Sequence, residues 1–245
     1  IVEALREASI NKLFTANVFA SSFSSWAATI NHLMPARTSM QAMNIGDHLS
    51  DIFRTTSTAG RGQGDVSGGG AAWESLVCWY LNLCLIGRRT VVIKHNRELI
   101  PEPVSNAIAV NYHNFVSNTE SDLIAITFPD RPEYSVDIDN INILDGNGLP
   151  VSLRVGRNRY NLLPVLNALC HRDFSNLEIH IIQCKTNWND NAQIPMLWDM
   201  IYSATHFRTN VTVGRNGYAI ADVARFTYSF VTVPTSRIEG INANS

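Results

Sequence analysis

Charge is scarce in this chain: Asp, Glu, Lys and Arg make up 16% of its 245 residues, and the net charge is −2. A protein that binds a polyanion over its whole surface is strongly basic, so the balance excludes that mode and confines any nucleic-acid contact to a local patch. Two stretches qualify. Residues 151–172 carry Arg154, Arg157, Arg159 and Arg172 with no acid, and 201–220 carry His206, Arg208 and Arg215 with none. Long apolar runs are also missing. None approaches the ~20 residues of a membrane span, so no membrane partner is expected. Cysteine is limited to Cys78, Cys84, Cys170 and Cys184, and no C-x-x-C pair occurs. That excludes the usual zinc-ribbon spacing. Each cysteine lies in an apolar or regular segment, as reduced, buried thiols of a cytoplasmic protein do. There is no internal repeat. The sequence opens on Ile1 rather than Met, so a start further upstream is an expectation, and IVEALREASINKLF reads as a charged amphipathic helix rather than a signal peptide.

What is present is apolar material, 45% of the residues, enough for the core of a single domain over 1–245. Residues 1–56 form an N-terminal helical region. Ile1, Leu5, Ile10, Leu13 and Phe14 recur at helical spacing, and Phe23–Met34 repeats the pattern behind serines that serve as caps. The polar, glycine-dense run Thr55–Gly70 reads as a loop. After it, AAWESLVCWYLNLCLIG predicts a helix with Trp73, Val77, Tyr80, Leu81 and Cys84 on one face and Gly87 past its end. From there the period changes to that of strands. They are expected at 89–94 (RTVVIK), 123–128 (LIAITF), 134–144, 151–155, 178–185 (EIHIIQCK), 218–223 and 226–233, with a turn at 145–148 and helices at 161–171 and 194–204. This order predicts an α/β (α+β) fold, a mixed central β-sheet flanked by helices, with the core at 68–233.

The segment EIHIIQCK carries the chemistry. Strand alternation puts Ile179, Ile181, Gln183 and Lys185 on one face and His180, Ile182 and Cys184 on the other, so the strand is apolar on both faces until its last residues. A lysine finishing such a strand must emerge at the rim of a cleft, because an unpaired buried ammonium loses its proton or destabilises the fold. Phosphodiester hydrolysis gives such a lysine a task. It needs carboxylates to hold Mg²⁺, further oxygen ligands, and a cation that stabilises the attacking water or the crowded charge on phosphorus.

The triplet Gln183-Cys184-Lys185 resembles the PD-(D/E)xK nuclease superfamily, which includes most type II restriction endonucleases, in the Gln-x-Lys form of Mrr-type enzymes. Ser121-Asp122 before LIAIT is similar to that superfamily's acidic residue at a strand start, and Glu74 in GGGAAWE to the glutamate of its first core helix. The resemblance spans about Gly68 to Ala204. It implies a restriction-endonuclease-like fold and Mg²⁺ as cofactor, with Mn²⁺ as a substitute. Asp122 is then the principal metal ligand, the Cys184 backbone carbonyl a second, and Gln183 a neutral ligand or water-positioner. Lys185 orients the water or helps deprotonate it, and Glu74 touches the metal or its waters. Two departures stand out: the interval from Asp122 to Gln183 is long and requires an insertion, and Gln183 removes one negative charge from the metal site. Asp137 and Asp139 remain alternates to Asp122.

Recognition is expected from Asn187 and Asn189 beside the catalytic lysine, whose amides match an adenine edge, and from Arg208 and Arg215. The same asparagines also serve as turn and cap residues. The expected activity is that of a Mg²⁺-dependent, sequence-specific double-stranded DNA endonuclease of a prokaryotic cytoplasm. It would act as a homodimer whose two-fold axis matches the DNA's, with the N-terminal helices as a dimer surface. The alternatives are a nuclease of the same fold acting on methylated DNA or a repair intermediate, and a non-catalytic DNA-binding protein.

Overall fold

The computed structural model of the chain describes residues 1–56, 66–94, 98–112, 115–117, 121–135, 143–144, 147–149, 161–186 and 211–233. The N-terminal region holds α1 (Val2–Thr15), α2 (Asn17–Leu33), α3 (Ser39–Asn44) and α4 (Leu49–Thr55), followed by the long α5 (Val66–Cys84). Then come β1 (Thr90–Lys94), α6 (Glu102–Ala107), β2 (Val110–Tyr112), β3 (Phe115–Ser117), β4 (Leu123–Thr127) and the short α7 (Pro132–Ser135). The remainder is α8 (Leu162–Arg172), β5 (Glu178–Lys185), β6 (Val211–Val213) and β7 (Arg225–Thr232). Among the described residues no helix is long and apolar enough to cross a membrane.

A four-stranded mixed sheet in the order β1-β4-β5-β7 organises the chain: β1, β4 and β5 alternate in direction, and β7 runs parallel to β5. A second, three-stranded sheet, β3-β2-β6, is antiparallel. Strands β1, β4 and β5 of the main sheet are buried on both faces, while the outer strand β7 is not. Val91, Ile93, Ile124, Ile126, Ile179 and Ile181 point into a core shared with α6 and α8. Val92, Leu123, Ala125, Ile182 and Cys184 point into a second core with α2, α4 and α5. Uninterrupted apolar strands are what such two-sided burial demands. The chain is therefore mixed α+β, as the order of periods predicts.

β1 is an outer strand, and its free edge is closed by side chains. The Asn82 side-chain amide donates to the Val92 carbonyl at 2.7 Å while its carbonyl accepts from the Val92 N–H at 3.1 Å. Ser9 Oγ donates to the same Val92 carbonyl at 2.8 Å. Arg6, 2% exposed, donates to the carbonyls of Thr90 and Arg88 at 2.8 and 2.7 Å and pairs with Glu3. α1 and α5 thus satisfy an edge that would otherwise be open to another strand.

This seal explains one departure from the expected pattern. The buried face of α1 is Val2, Leu5, Arg6, Ser9 and Leu13, while Phe14 is 41% exposed. The helix turns toward β1 because its polar residues serve the strand edge. Other differences are local. α2 starts at Asn17, and Ser24 lies inside it, donating back to the Ala20 carbonyl at 3.1 Å. Helix α5 begins at Val66, within the stretch expected to be loop. It is buried more broadly than one face, through Ala72, Trp73, Leu76, Val77 and Cys78, because it lies between the sheet and α2. Tyr134 belongs to α7, not a strand. Residues 218–223 form the end of a tight hairpin and a 3₁₀ turn, since Asn216 and Gly217 take positive φ (53° and 79°) between the bridged pair Arg215 and Tyr218. The strands expected at 151–155 and the helix at 194–204 lie outside the described residues.

An ion cluster around the buried Asp173 fastens α8 to α7. Asp173, 1% exposed, accepts from Arg172 Nε and Nη2 at 3.1 and 2.7 Å and from Tyr134 Oη at 3.1 Å, and pairs with Arg131 at 3.0 Å. Burial alone would raise its carboxyl, but the Arg172 hydrogen bonds and charge, with Tyr134 and Arg131, hold it below the usual carboxylate range. A depressed folded-state value adds stability above the unfolded value of about 3.9, and that stability is lost as pH falls through the folded value. Asp173→Asn should therefore cost about 1–2 kcal/mol at neutral pH, since both arginine partners are partly exposed, with the gap to wild type closing in denaturant titrations below about pH 4. A gap independent of pH would contradict the charge-based account.

Candidate active site

The C-terminal ends of β1, β5 and β7 meet the N-terminal end of β4 at one rim of the main sheet. Backbone pairing between β4 and β5 stops at Leu123 and Ile182. Just beyond, the Cys184 N–H donates to Asp122 Oδ2 at 2.7 Å, so a side-chain carboxylate occupies the place of a strand carbonyl. Lys185 Nζ lies 3.8 Å from the same oxygen. The Lys185 carbonyl accepts from the Val233 N–H at 3.1 Å and so faces β7. In a paired strand the N–H and C=O of one residue project to the same side and neighbouring residues alternate, so the Cys184 carbonyl faces Asp122 along with its amide.

Glu74 approaches from α5. Its Oε2 is 3.1 Å from Lys94 Nζ at the end of β1. That ammonium also donates to the Ala71 carbonyl and to Ser75 Oγ, each at 2.9 Å. Burial is the largest influence on Glu74 and raises its carboxyl above the usual range; Lys94 opposes this, the Asp122 charge adds to it, and Lys185 opposes it. The two carboxylates and two ammonium groups thus form one electrostatic cluster, each member between 21% and 29% exposed. The Cys184 thiol is pushed well up by burial first and then by the Asp122 and Glu74 charges, which favours its neutral form.

Of the residues singled out from the sequence, Asp122, Cys184, Lys185 and Glu74 converge. Gln183 is half-buried and, by strand alternation, shares the face of Lys185. Asp137, Asp139, Asn187, Asn189 and Arg208 lie outside the described residues. Arg215 is placed elsewhere. Its Nε donates to Asn106 Oδ1 at 2.7 Å, and its hairpin partner Tyr218 packs edge-to-face on Phe174, in the turn that leads into β5. Lys185 ends that same strand, seven residues and roughly 23 Å away at 3.3 Å per residue. Arg172, from the other basic stretch, is committed to Asp173 and Glu133. His180 bonds Thr227 Oγ1 and is kept toward its neutral form chiefly by burial, as a core histidine should be.

Sequence reasoning missed Lys94. The signal was available, because RTVVIK ends a buried strand on lysine as EIHIIQCK does. Among the described residues no three His, Cys, Asp or Glu side chains gather as a metal group. A cation here would be held by the Asp122 carboxylate and the Cys184 carbonyl, with Glu74, Gln183 and water completing the shell. Oxygen donors of this kind fit a hard cation such as Mg²⁺ or Mn²⁺. Comparison with protein-family models, curated proteins and solved structures returned no match to the chain.

Proposed function

We propose that the chain is a Mg²⁺-dependent endonuclease of double-stranded DNA with a restriction-endonuclease-like fold, and that the rim formed by β1, β4 and β5 is its active site. The observation that carries this reading is the meeting of Asp122, Lys185 and Glu74 around the Cys184 backbone, from three segments far apart in sequence. Bound Mg²⁺ supplies Lewis acidity to the phosphate and lowers the pKa of a water molecule.

The protein groups divide the remaining work. The Cys184 N–H fixes one oxygen of Asp122 and thereby aims the carboxylate. Lys185 holds its charge beside that oxygen at 3.8 Å without a hydrogen bond, so it is free to turn toward the phosphoryl oxygens or the attacking water. Gln183, on the same face, offers an amide that accepts from water with its oxygen and donates to phosphate with its nitrogen. Glu74 contributes charge from the opposite side of the rim.

Supercoiled plasmid incubated with the full chain and Mg²⁺ tests the reading. Cleavage to discrete linear fragments, abolished by EDTA, is the expected result. A gel shift with intact plasmid under every cation condition would favour the non-catalytic DNA-binding alternative, and no interaction with DNA would remove both.

A further inference from the structure

We propose that Lys94 is a resident cation of this site: its ammonium holds Glu74 in place, fills the position a second divalent ion would take, and limits the chain to one Mg²⁺ or Mn²⁺. The inference rests on the metal-dependent reading of the rim.

The two lysines of the cluster are held differently. Lys94 meets three acceptors, Glu74 Oε2 at 3.1 Å, Ser75 Oγ at 2.9 Å and the Ala71 carbonyl at 2.9 Å. Two of these are hydrogen bonds and the third, to Glu74, is an ion pair, so the ammonium is held by three neighbours at once. Its backbone is paired with Leu123 on β4, so the side chain is anchored at both ends. Lys185 has a longer, looser approach to Asp122 and belongs to the reacting side of the rim. Lys94 is therefore a positioning residue acting through Glu74.

Charge points the same way. Asp122 and Glu74 contribute two negative charges, Lys94 and Lys185 two positive ones, and Gln183 none. One divalent ion gives this cluster an excess that a phosphodiester partly offsets; two would leave it far from balance in a half-buried setting. The chain also has room beside Lys94. A cavity of about 210 Å³ is lined by Lys94 together with Ser9, Lys12, Thr15 and Ser75 among others. Once the ammonium is removed, the acceptors it leaves, Glu74 Oε2, Ser75 Oγ and the Ala71 carbonyl, can with water hold an ion in its place.

Equilibrium dialysis of the full chain against Mn²⁺ without DNA, with free Mn²⁺ read by electron paramagnetic resonance, tests this independently of turnover. The wild type should saturate at one ion. Lys94→Ala should take a second, or bind the first at least about tenfold more tightly for loss of a neighbouring positive charge. Lys94→Arg, which keeps the charge, should restore a single ion at the original affinity. Lys94→Met, which keeps the apolar stem, substitutes for the alanine variant if circular dichroism shows that the latter is unfolded. Two ions on the wild type would overturn the proposal whatever the variants do. A wild type with one ion and an unchanged Lys94→Ala or Lys94→Met would overturn it and leave the nuclease reading standing. No ion on the wild type would overturn both.

Discussion

Lys185→Ala is expected to lower Mg²⁺-dependent plasmid cleavage by about 10³-fold, the usual loss when one preorganised charge donor leaves a reaction centre. The same change should barely affect the fold. The ammonium is 26% exposed and its ion pair with Asp122 is long, so its removal should cost less than about 1 kcal/mol. Asp122→Asn should give a similar loss of cleavage for a different reason. The amide oxygen can still accept from the Cys184 N–H, so the strand end stays paired, but the negative charge that draws a cation is gone. Initial rates on supercoiled plasmid, with thermal unfolding measured on the same samples, separate the two effects. Wild-type cleavage by Lys185→Ala would remove this rim as the active site.

The largest effect on stability should come from Asn82→Leu, a change of similar shape at a fully buried position. Asn82 meets both the N–H and the carbonyl of Val92, and its oxygen is also 3.5 Å from Arg6 Nη1. Leucine leaves the Val92 N–H buried without its partner and takes one acceptor from a guanidinium that is itself 2% exposed. The cost should be about 3 kcal/mol, from the penalty for unsatisfied buried donors. For a chain of this length that corresponds to a fall in Tm of roughly 6–12 °C. An unchanged Tm in thermal denaturation would show that water or another group replaces Asn82 at the edge of β1.

Three of the four strands of the main sheet were readable because two-sided burial leaves an unmistakable mark, a short apolar run at 90–94, 123–127 and 178–185. The chemistry at their ends was readable for the complementary reason. A polar group that closes such a run has few places to go, which is how Asp122 and Lys185 stood out. The edge of β1 was illegible. Arg6, Ser9 and Asn82 look like surface residues until the strand they serve is in place, and helical periodicity counts them against burial. The second sheet was hidden by its brevity: its strands are three residues long, and no period can be read from three residues. Arg215 shows the limit of reading charge alone. Its arginine character suggests phosphate, while its neighbourhood provides Asn106.

Asp122 completes a rung of the sheet as well as facing the cluster, and so joins two equilibria that are usually separate. Whatever recruits its carboxylate competes with, or reinforces, the bond to the Cys184 amide. By reciprocity, an occupant that reinforces the rung makes the ends of β4 and β5 harder to pry apart, and one that weakens it lets them fray. Hydrogen exchange at that single amide would then track occupancy of the rim even where no bond in DNA is broken.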